Sequence, residues 1–442
     1  MKPLNGKKTD LMNVKVLRLA LPSIISNITV PLLGLVDMMI VGHLGSAIYI
    51  GAVAVGGLLF NILYWNFGFL RMGTSGLASQ AYGRKDFREM ASVLVRALEV
   101  ALGLALLFII FRHFIADVAF DFIDTNPEVR FWAEKYFHIN IWAAPAVLGL
   151  YAFKGWFIGM QNSKIPMFIA ISINVVNIVL SLFFVYVLDM SIEGVALGSA
   201  LAQISGLLLA VVLWAKFYAR HFLRFVDRRL LLNTVGLGGF FKLNFGIVVR
   251  TMCLVLVTSF FTVAGTKQGV VVLAVNTLMM QLFTLFSYFM DGFAYAGEAL
   301  VGKYIGANDK FNLKEVVKSI FKWGGSLSLI FTVLYGLFAS EFISFLTDEP
   351  DVVTESAKYY FWVLAIPFAG FSAFLWDGVC VGATAVRTMA WTMIIATITF
   401  FSLYYSLIEK YENHAIWFSF VCYLSMRSIV QTIWAKCNLL RM

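Results

Sequence analysis

Charge is scarce in this chain. Only 13% of its 442 residues are Asp, Glu, Lys or Arg, and 60% are hydrophobic. A soluble domain carries about 25% charged residues, so this chain cannot dress a large water-facing surface. Cysteine is nearly missing as well. Cys253, Cys380, Cys422 and Cys437 all lie in or beside apolar runs, without paired spacing. That excludes a disulfide framework or a thiolate metal site and leaves four small core residues. The five histidines form no i, i+4 pair, and HExxH, GxSxG and CxxC do not occur. Nothing therefore points to an enzyme or to a bound metal or cofactor. The stretch GLGG at 236–239 follows no strand and sits in no phosphate-binding pattern, so it carries no nucleotide role. Alternating-polarity strands are absent too, which speaks against an outer-membrane barrel.

What the chain has in abundance is apolar runs of about 20 residues, the length that crosses a hydrocarbon core. They predict an all-α polytopic membrane protein with twelve spans. The spans lie near 16–41, 48–70, 91–111, 132–153, 165–188, 193–215, 243–263, 271–295, 323–338, 359–381, 389–408 and 414–435. The first is too long for a signal-peptide core and is expected to be retained. The net charge of +9 is not a nucleic-acid signature, because the basic residues are sorted by loop. The N-terminal tail, the even-numbered connections and the C-terminal tail hold 24 Lys and Arg, against 5 in the odd-numbered connections. By the positive-inside rule both termini are expected to face the cytoplasm. The opposite loops are acidic, with Asp117, Asp121, Asp124 and Glu128, then Glu341, Asp348, Glu349, Asp351 and Glu355.

The two halves repeat at a constant offset of 223 residues. Gly42 meets Gly265, Gly83 meets Gly306, Asp86 meets Asp309, and Pro127 meets Pro350. Lys135 and Tyr136 meet Lys358 and Tyr359, while Gly155 and Gly159 meet Gly378 and Gly382. Six helices return a chain to its starting side. The halves are therefore expected to share one orientation, related by a pseudo-two-fold axis along the membrane normal. The expected domains are a first lobe at 1–215, a basic cytoplasmic linker at 216–242 and a second lobe at 243–442.

Against this apolar background a few polar residues stand out. Asp37, in GLVDMMIVGHLG, lies inside the first span, about 7 Å below its outer end. An unpaired charge there costs at least about 2.5–3.5 kcal/mol. Both burial and the nearby helix C-terminus disfavour the ionised form. Asp37 thus reads as an acid poised to take up and release a proton. In the fifth span Asn174, Asn177 and Ser181 share one helical face, and Ser199 on the sixth is a candidate to join them. Amides of this kind also glue helices together. The repeat weighs against glue alone, because Asp37, Asn177, Ser181 and Ser199 map to Phe260, Phe400, Tyr404 and Cys422. The second lobe has its own charge cluster of Arg250, Asp291 and Asp377. Arg250 lies mid-helix and needs one of the two acids, most simply in a structural ion pair, with a second coupling or gating site as the alternative. Pro22 and Pro31 interrupt the first span, each removing a backbone hydrogen bond, so that helix is expected to bend.

Taken together, LALPSIISN and GLVDMMIVGHLG, GFLRMGTSGLASQAYGRKD, NVVNIVLS, EGVALGSALAQ, DGFAYAGEALVGKYIGA and WDGVCVGATAVRTM resemble the multidrug and toxic compound extrusion (MATE) family. The similarity is strongest to the bacterial branch named for the DNA-damage-inducible protein F. The resemblance implies two six-helix bundles and export of cationic, amphipathic compounds against an inward proton or sodium gradient. It places the family's coupling acid on Asp37, its helix-bending proline on Pro22, its fifth-helix asparagine on Asn177 and its sixth-helix hydroxyl on Ser199. Many members carry a second aspartate where this chain has Ser181. With one carboxylate a sodium site is weakened, since hard cations prefer several oxygen ligands and charge.

The resulting expectation is a proton-coupled antiporter. It acts as a monomer on small amphipathic or cationic molecules in the bilayer, with no nucleic acid and no cofactor. A sodium-coupled relative is the first alternative. A lipid-linked precursor flippase is the second, and it would want a strongly cationic cavity, for which the spans offer Arg250 with Arg18 and Arg96.

Overall fold

The computed structural model describes residues 3–43, 46–123, 126–225, 235–347 and 349–439. Much of the expected linker, including Arg228 and Arg229, lies outside the described residues, as do Lys2, Asp124, Asp348 and Arg441. Among the described residues there is no strand. Twelve helices among the described residues are long and apolar enough to cross a membrane. They are α1 (Leu11–Gly42), α2 (Ile48–Arg84), α3 (Phe87–Ile110), α4 (Pro127–Gly159), α5 (Lys164–Tyr186) and α6 (Ile192–Phe222), followed by α7 (Asn244–Thr266), α8 (Val270–Gly306), α9 (Lys310–Phe338), α10 (Tyr360–Gly382), α11 (Val386–Tyr411) and α12 (Asn413–Leu439). The physical reason is the solvent: in hydrocarbon every backbone donor and acceptor must be met within the chain. The outward faces carry exposed Leu106, Leu208, Trp391, Ile433 and many similar side chains, as lipid contact requires.

All twelve expected spans are present. The main differences are at the ends of α2, α8 and α9. Hydrophobic runs end near 70 and 295 and resume near 323, yet the helices continue to Arg84 and Gly306 and begin at Lys310. Apolar patterning reports only the lipid-crossing part, and polar residues propagate an existing helix past it. The following helices are then started by aspartate caps. Asp86 Oδ1 accepts from the Glu89 amide at 3.0 Å, and Asp309 Oδ1 from the Asn312 amide at 3.0 Å.

The 223-residue repeat extends to the backbone. Non-glycine residues with positive φ are Lys85 (59°), Gln161 (64°), Asp189 (52°), Asn308 (53°), Thr384 (53°) and Glu412 (46°). They form three pairs at the repeat offset, each closing the same helix–helix turn in its half. The tightest helix crossings are duplicated too. A Cβ on Gly155 would lie 2.2 Å from the Arg71 carbonyl oxygen, and one on Gly378 would lie 2.3 Å from that of Ala294. One turn on, Gly159 faces the Ser75 carbonyl and Gly382 the Glu298 carbonyl, at 2.9 and 2.7 Å. Glycine is thus needed where α4 crosses α2 and where α10 crosses α8.

The chain forms two compact units. One is Ile25–Phe241; the other joins the chain up to Ile24 to everything from Lys242 on. This division departs from the expected domains twice: the first arm of α1 packs with the second-half helices, and the described part of the expected linker up to Phe241 falls in the first-half unit. Gly292 on α8 provides the notch, since a Cβ there would strike Ile24 Cγ1 at 2.3 Å and the Ala20 carbonyl oxygen at 3.0 Å. Asn13 Oδ1 accepts from Ser319 Oγ at 2.7 Å, and Lys15 Nζ donates to the Tyr304 hydroxyl at 3.3 Å. Pro22 lies in this arm and Pro31 beyond it, and α1 stays helical through both.

Gly155→Ala and Gly378→Ala are each expected to abolish the monodisperse peak in fluorescence-detected size-exclusion chromatography. Gly103→Ala, with nothing within 4 Å of its added methyl, is expected to leave that peak intact.

Candidate functional site

In the Ile25–Phe241 unit, α5 and α6 meet along a stripe of small residues. Gly194, Gly198, Ala202 and Gly206 recur every fourth position, the spacing that lets membrane helices approach closely. A Cβ on Gly198 would fall 2.4 Å from Ser181 Oγ and 2.9 Å from the Ser181 amide nitrogen; one on Gly206 would fall 2.4 Å from Ile173 Cγ1. This approach sets Ser199, the neighbour of Gly198, against α5. Asn177 Nδ2 donates to Ser199 Oγ at 2.8 Å, and Ser199 Oγ donates to Asp37 Oδ2 at 2.8 Å. Amide, hydroxyl and carboxylate form a short relay from three helices.

Asp37 is only 4% exposed, and Asn177 and Ser181 are fully buried. No lysine or arginine among the described residues pairs with Asp37. Its Oδ1, Asn177 Oδ1 and Ser181 Oγ have no hydrogen-bond partner among the described residues. The structure thus brings together Asp37, Asn177 and Ser199. Ser181 is adjacent but does not bond the acid; it lines the α5–α6 contact. Asn174 turns elsewhere on the same face: its Nδ2 donates to the Thr29 carbonyl oxygen at 2.8 Å, in the turn of α1 that carries Pro31. Asp37 and Thr29 therefore tie the outer arm of α1 to α6 and α5.

Sequence reasoning missed Tyr136 on α4. Its phenol adjoins Ser199 and Asn140, and its ring packs where Gly56 has no side chain, 2.5 Å from a Cβ placed there. The repeat hid it. Because Tyr136 maps to Tyr359, a search for polar residues peculiar to one half passes over it.

The other unit holds a different constellation. Asp377 Oδ2 accepts from Arg250 Nε and an Arg250 terminal nitrogen at 3.2 and 2.8 Å, and from an Arg427 terminal nitrogen at 2.8 Å. Its Oδ1 accepts from Gln431 Nε2 at 2.7 Å. Of the two expected acids, Asp377 is the one bonded to Arg250; Asp291 bears on Arg250 through its charge. Arg427 is the second omission. It is 1% exposed and stacks over Phe374 and Tyr423, at 5.7 and 5.5 Å from the ring centroids. An arginine inside an apolar run, in SMRSIV, was the available signal. Glu298, also fully buried, was likewise overlooked, because its repeat partner is Ser75. The carboxylate of Asp377 is saturated by two guanidinium groups and an amide, whereas that of Asp37 meets no positive charge.

A sequence model of the family described as MatE matches residues 22–183 and 247–407, one match in each half. The chain belongs to the MatE family. It is a membrane transporter and not an enzyme. It is 35% identical over 422 residues to DNA damage-inducible protein F of Escherichia coli K12, covering 95% of this chain and 91% of that protein. A probable multidrug resistance protein NorM of Photorhabdus laumondii is 22% identical over 78% of this chain and 77% of its own length. Among solved structures, the Vibrio cholerae MATE transporter VcmN in the bent form aligns with a TM-score of 0.85 at 15% identity over 98% of both chains. A MATE structure in a bent conformation aligns with 0.83 at 18% identity, over 97% of both. At that identity the structural matches speak for the MatE fold.

Removing one partner from a buried ion pair costs about 3–5 kcal/mol. Asp377→Asn, which leaves Arg250 and Arg427 uncompensated, is expected to destabilise the protein by that order, read as a lowered thermal unfolding midpoint in detergent. Lys318→Ala, which breaks the exposed pair with Glu315, is expected to stay within about 1 kcal/mol.

Proposed function

We propose that this transporter exports cationic, amphipathic compounds in exchange for protons, and that Asp37 is the coupling acid. The observation that carries the reading is the relay itself: a buried carboxylate with no basic partner, hydrogen-bonded through Ser199 to Asn177. With Asp37 ionised, Asn177 donates to Ser199 and Ser199 donates to the anion. With Asp37 protonated, its O–H donates to Ser199 Oγ, and a flip of the Asn177 amide, whose Oδ1 has no partner among the described residues, lets that oxygen accept from the Ser199 hydroxyl. A hydroxyl that both donates and accepts gives each charge state a satisfied chain of bonds. The ionised site attracts a cation from the cytoplasmic side. A proton arriving from outside removes the charge and releases the cargo, so competition for one carboxylate makes the exchange obligatory.

Proton coupling is favoured over sodium because Ser181 stands where many relatives carry a second carboxylate. A hard monovalent cation would be left with one anionic ligand. The flippase reading loses support, since Arg250 is engaged by Asp377 and is not free for a pyrophosphate. In this reading the protein is a monomer of the bacterial inner membrane with both termini cytoplasmic, as the 24-to-5 split of basic residues supports. Pro22 and Pro31, each lacking a backbone donor, weaken the α1 ladder where a change in the state of Asp37 would bend it. The names of relatives, among them a multidrug resistance protein, agree with this cargo class.

In proteoliposomes, an imposed proton gradient at fixed sodium is expected to drive efflux of lipophilic cations, and a sodium gradient at fixed pH is expected not to. Asp37→Asn is expected to reduce efflux to the background of empty vesicles while preserving the size-exclusion profile. Ser199→Ala removes a hydrogen bond to an anion worth about 1.5–3 kcal/mol and is expected to slow transport about tenfold or more. Full gradient-driven efflux by Asp37→Asn overturns the mechanism, and efflux driven by sodium alone replaces the coupling ion.

A further inference from the structure

Trp-Ala-Lys occurs twice in the chain, at 214–216 near the end of α6 and at 434–436 near the end of α12. Each copy leads into five residues wound as a π-helical turn, Ala215–Ala219 and Ala435–Leu439. Such turns are rare and frequently mark functional places in a helix. The first is clamped to the start of α5. Asn162 Nδ2 donates to the Tyr218 hydroxyl at 3.1 Å, and Asn162 Oδ1 accepts from the Ile165 amide at 3.4 Å.

Between these two helix ends lies a partly open cavity of about 310 Å³. Ile165 and Phe168 of α5 and Leu213 and Phe217 of α6 give it apolar walls, and Asn162 and Lys164 add a polar edge. Phe168 and Phe217 are 53% and 55% exposed, so the apolar wall runs out to the surface. Lys164 is exposed and has no hydrogen bond or ion pair among the described residues. Lys216, also exposed, meets the Phe217 ring, with its Nζ 5.6 Å from the centroid, and no carboxylate among the described residues. Two ammonium groups without a counter-charge thus stand beside an apolar cavity.

A lysine at a membrane surface lays its stem on apolar side chains and keeps its charge in water. That accounts for the charges but not for the cavity. Any acyl chain could enter the cavity, which accounts for the walls but not for the charges. A molecule with an anionic head joined to an apolar chain matches both. In the orientation proposed above, this end of α5 and α6 meets the cytoplasmic leaflet, the one rich in anionic lipid. The volume is at the lower end of the range for small-ligand sites. It therefore takes the part of a lipid next to the head group, and the rest stays in the bilayer.

We propose that this cavity binds an anionic phospholipid, with Lys164 and Lys216 on its phosphate and the upper part of an acyl chain against Phe168, Leu213 and Phe217. The proposal stands apart from the export reading and does not need it. The site lies on the two helices that carry Asn177 and Ser199, so the bound lipid braces the pair on which the relay depends.

The test is binding to the purified, delipidated full chain in detergent, read by native mass spectrometry as the fraction of protein carrying lipid. The probes are dioleoylphosphatidylglycerol, dioleoylphosphatidylcholine and glycerol 3-phosphate. Phosphatidylglycerol is expected to bind about tenfold tighter than phosphatidylcholine. Lys164→Gln is expected to weaken phosphatidylglycerol about fivefold and to leave phosphatidylcholine unchanged. Lys164 is exposed, so this variant folds. Phe217→Ala is expected to weaken both lipids. Lys436→Gln removes the same charge at the second π-helical turn, where Cys437 stands in place of Phe217, and is expected to leave both lipids unchanged. Equal affinity for the two lipids overturns the proposal. Equal losses in Lys164→Gln and Lys436→Gln assign the effect to diffuse attraction and overturn it too. Displacement of phosphatidylglycerol by an equal concentration of glycerol 3-phosphate assigns the lysines to a free phosphate and has the same consequence.

Discussion

The polar chemistry of this transporter depends on how closely two helix backbones can approach in a medium that offers no hydrogen bonds. Gly198 lets α6 lie against α5 at Ser181, and the same contact brings Ser199 to Asn177 and to Asp37. A methyl group at that position would separate the helices and break the relay, although it touches neither the acid nor the amide. In water such a loss would be offset by solvent. In hydrocarbon the unpaired groups would stay unpaired, so the small-residue stripe and the buried carboxylate belong to one design.

The same dependence explains how the two halves diverged on one scaffold. The crossings at Gly155 and Gly378, and the three pairs of left-handed turn residues, hold the backbone of each half in a common form. One half kept an acid with no positive partner. The other surrounded its acid, Asp377, with Arg250, Arg427 and Gln431, and has Phe260 and Phe400 in place of Asp37 and Asn177 and Cys422 in place of Ser199. A carboxylate held by two guanidinium groups, one fully buried and one half-buried, is committed to structure, because gaining a proton would strand their positive charge. A carboxylate held by a hydroxyl alone is free to change state.

Much of this was legible in the chain. Twelve spans followed from apolar run length, since the bilayer imposes one thickness on every crossing. The duplication followed from glycine, proline and aspartate in one register, because turns and crossings tolerate few substitutes. Asp37, Asn177 and Ser199 followed from the rarity of polar groups in lipid-length runs. Other features were not legible. Tyr136 is an aromatic residue among many, and only its proximity to Ser199 distinguishes it. Asn174 shares a helical face with Asn177, yet it bonds the α1 backbone at Thr29 while Asn177 bonds Ser199 on α6, and helical periodicity cannot tell which neighbouring helix each amide meets. Arg427 was visible as a residue, but that it shares Asp377 with Arg250 depends on three helices meeting.

The sequence by itself determined that this is a twelve-helix, duplicated membrane transporter with one conspicuous acid in its first helix, because length, hydropathy and turn chemistry act locally along a chain. Tertiary structure alone decided that Asp37 has no basic partner while Asp377 has two, and that the first arm of α1 packs with the second-half helices at Gly292. Both outcomes depend on which faces of distant helices come within about 3 Å of each other. That is set by packing across hundreds of residues of chain, which no local pattern encodes.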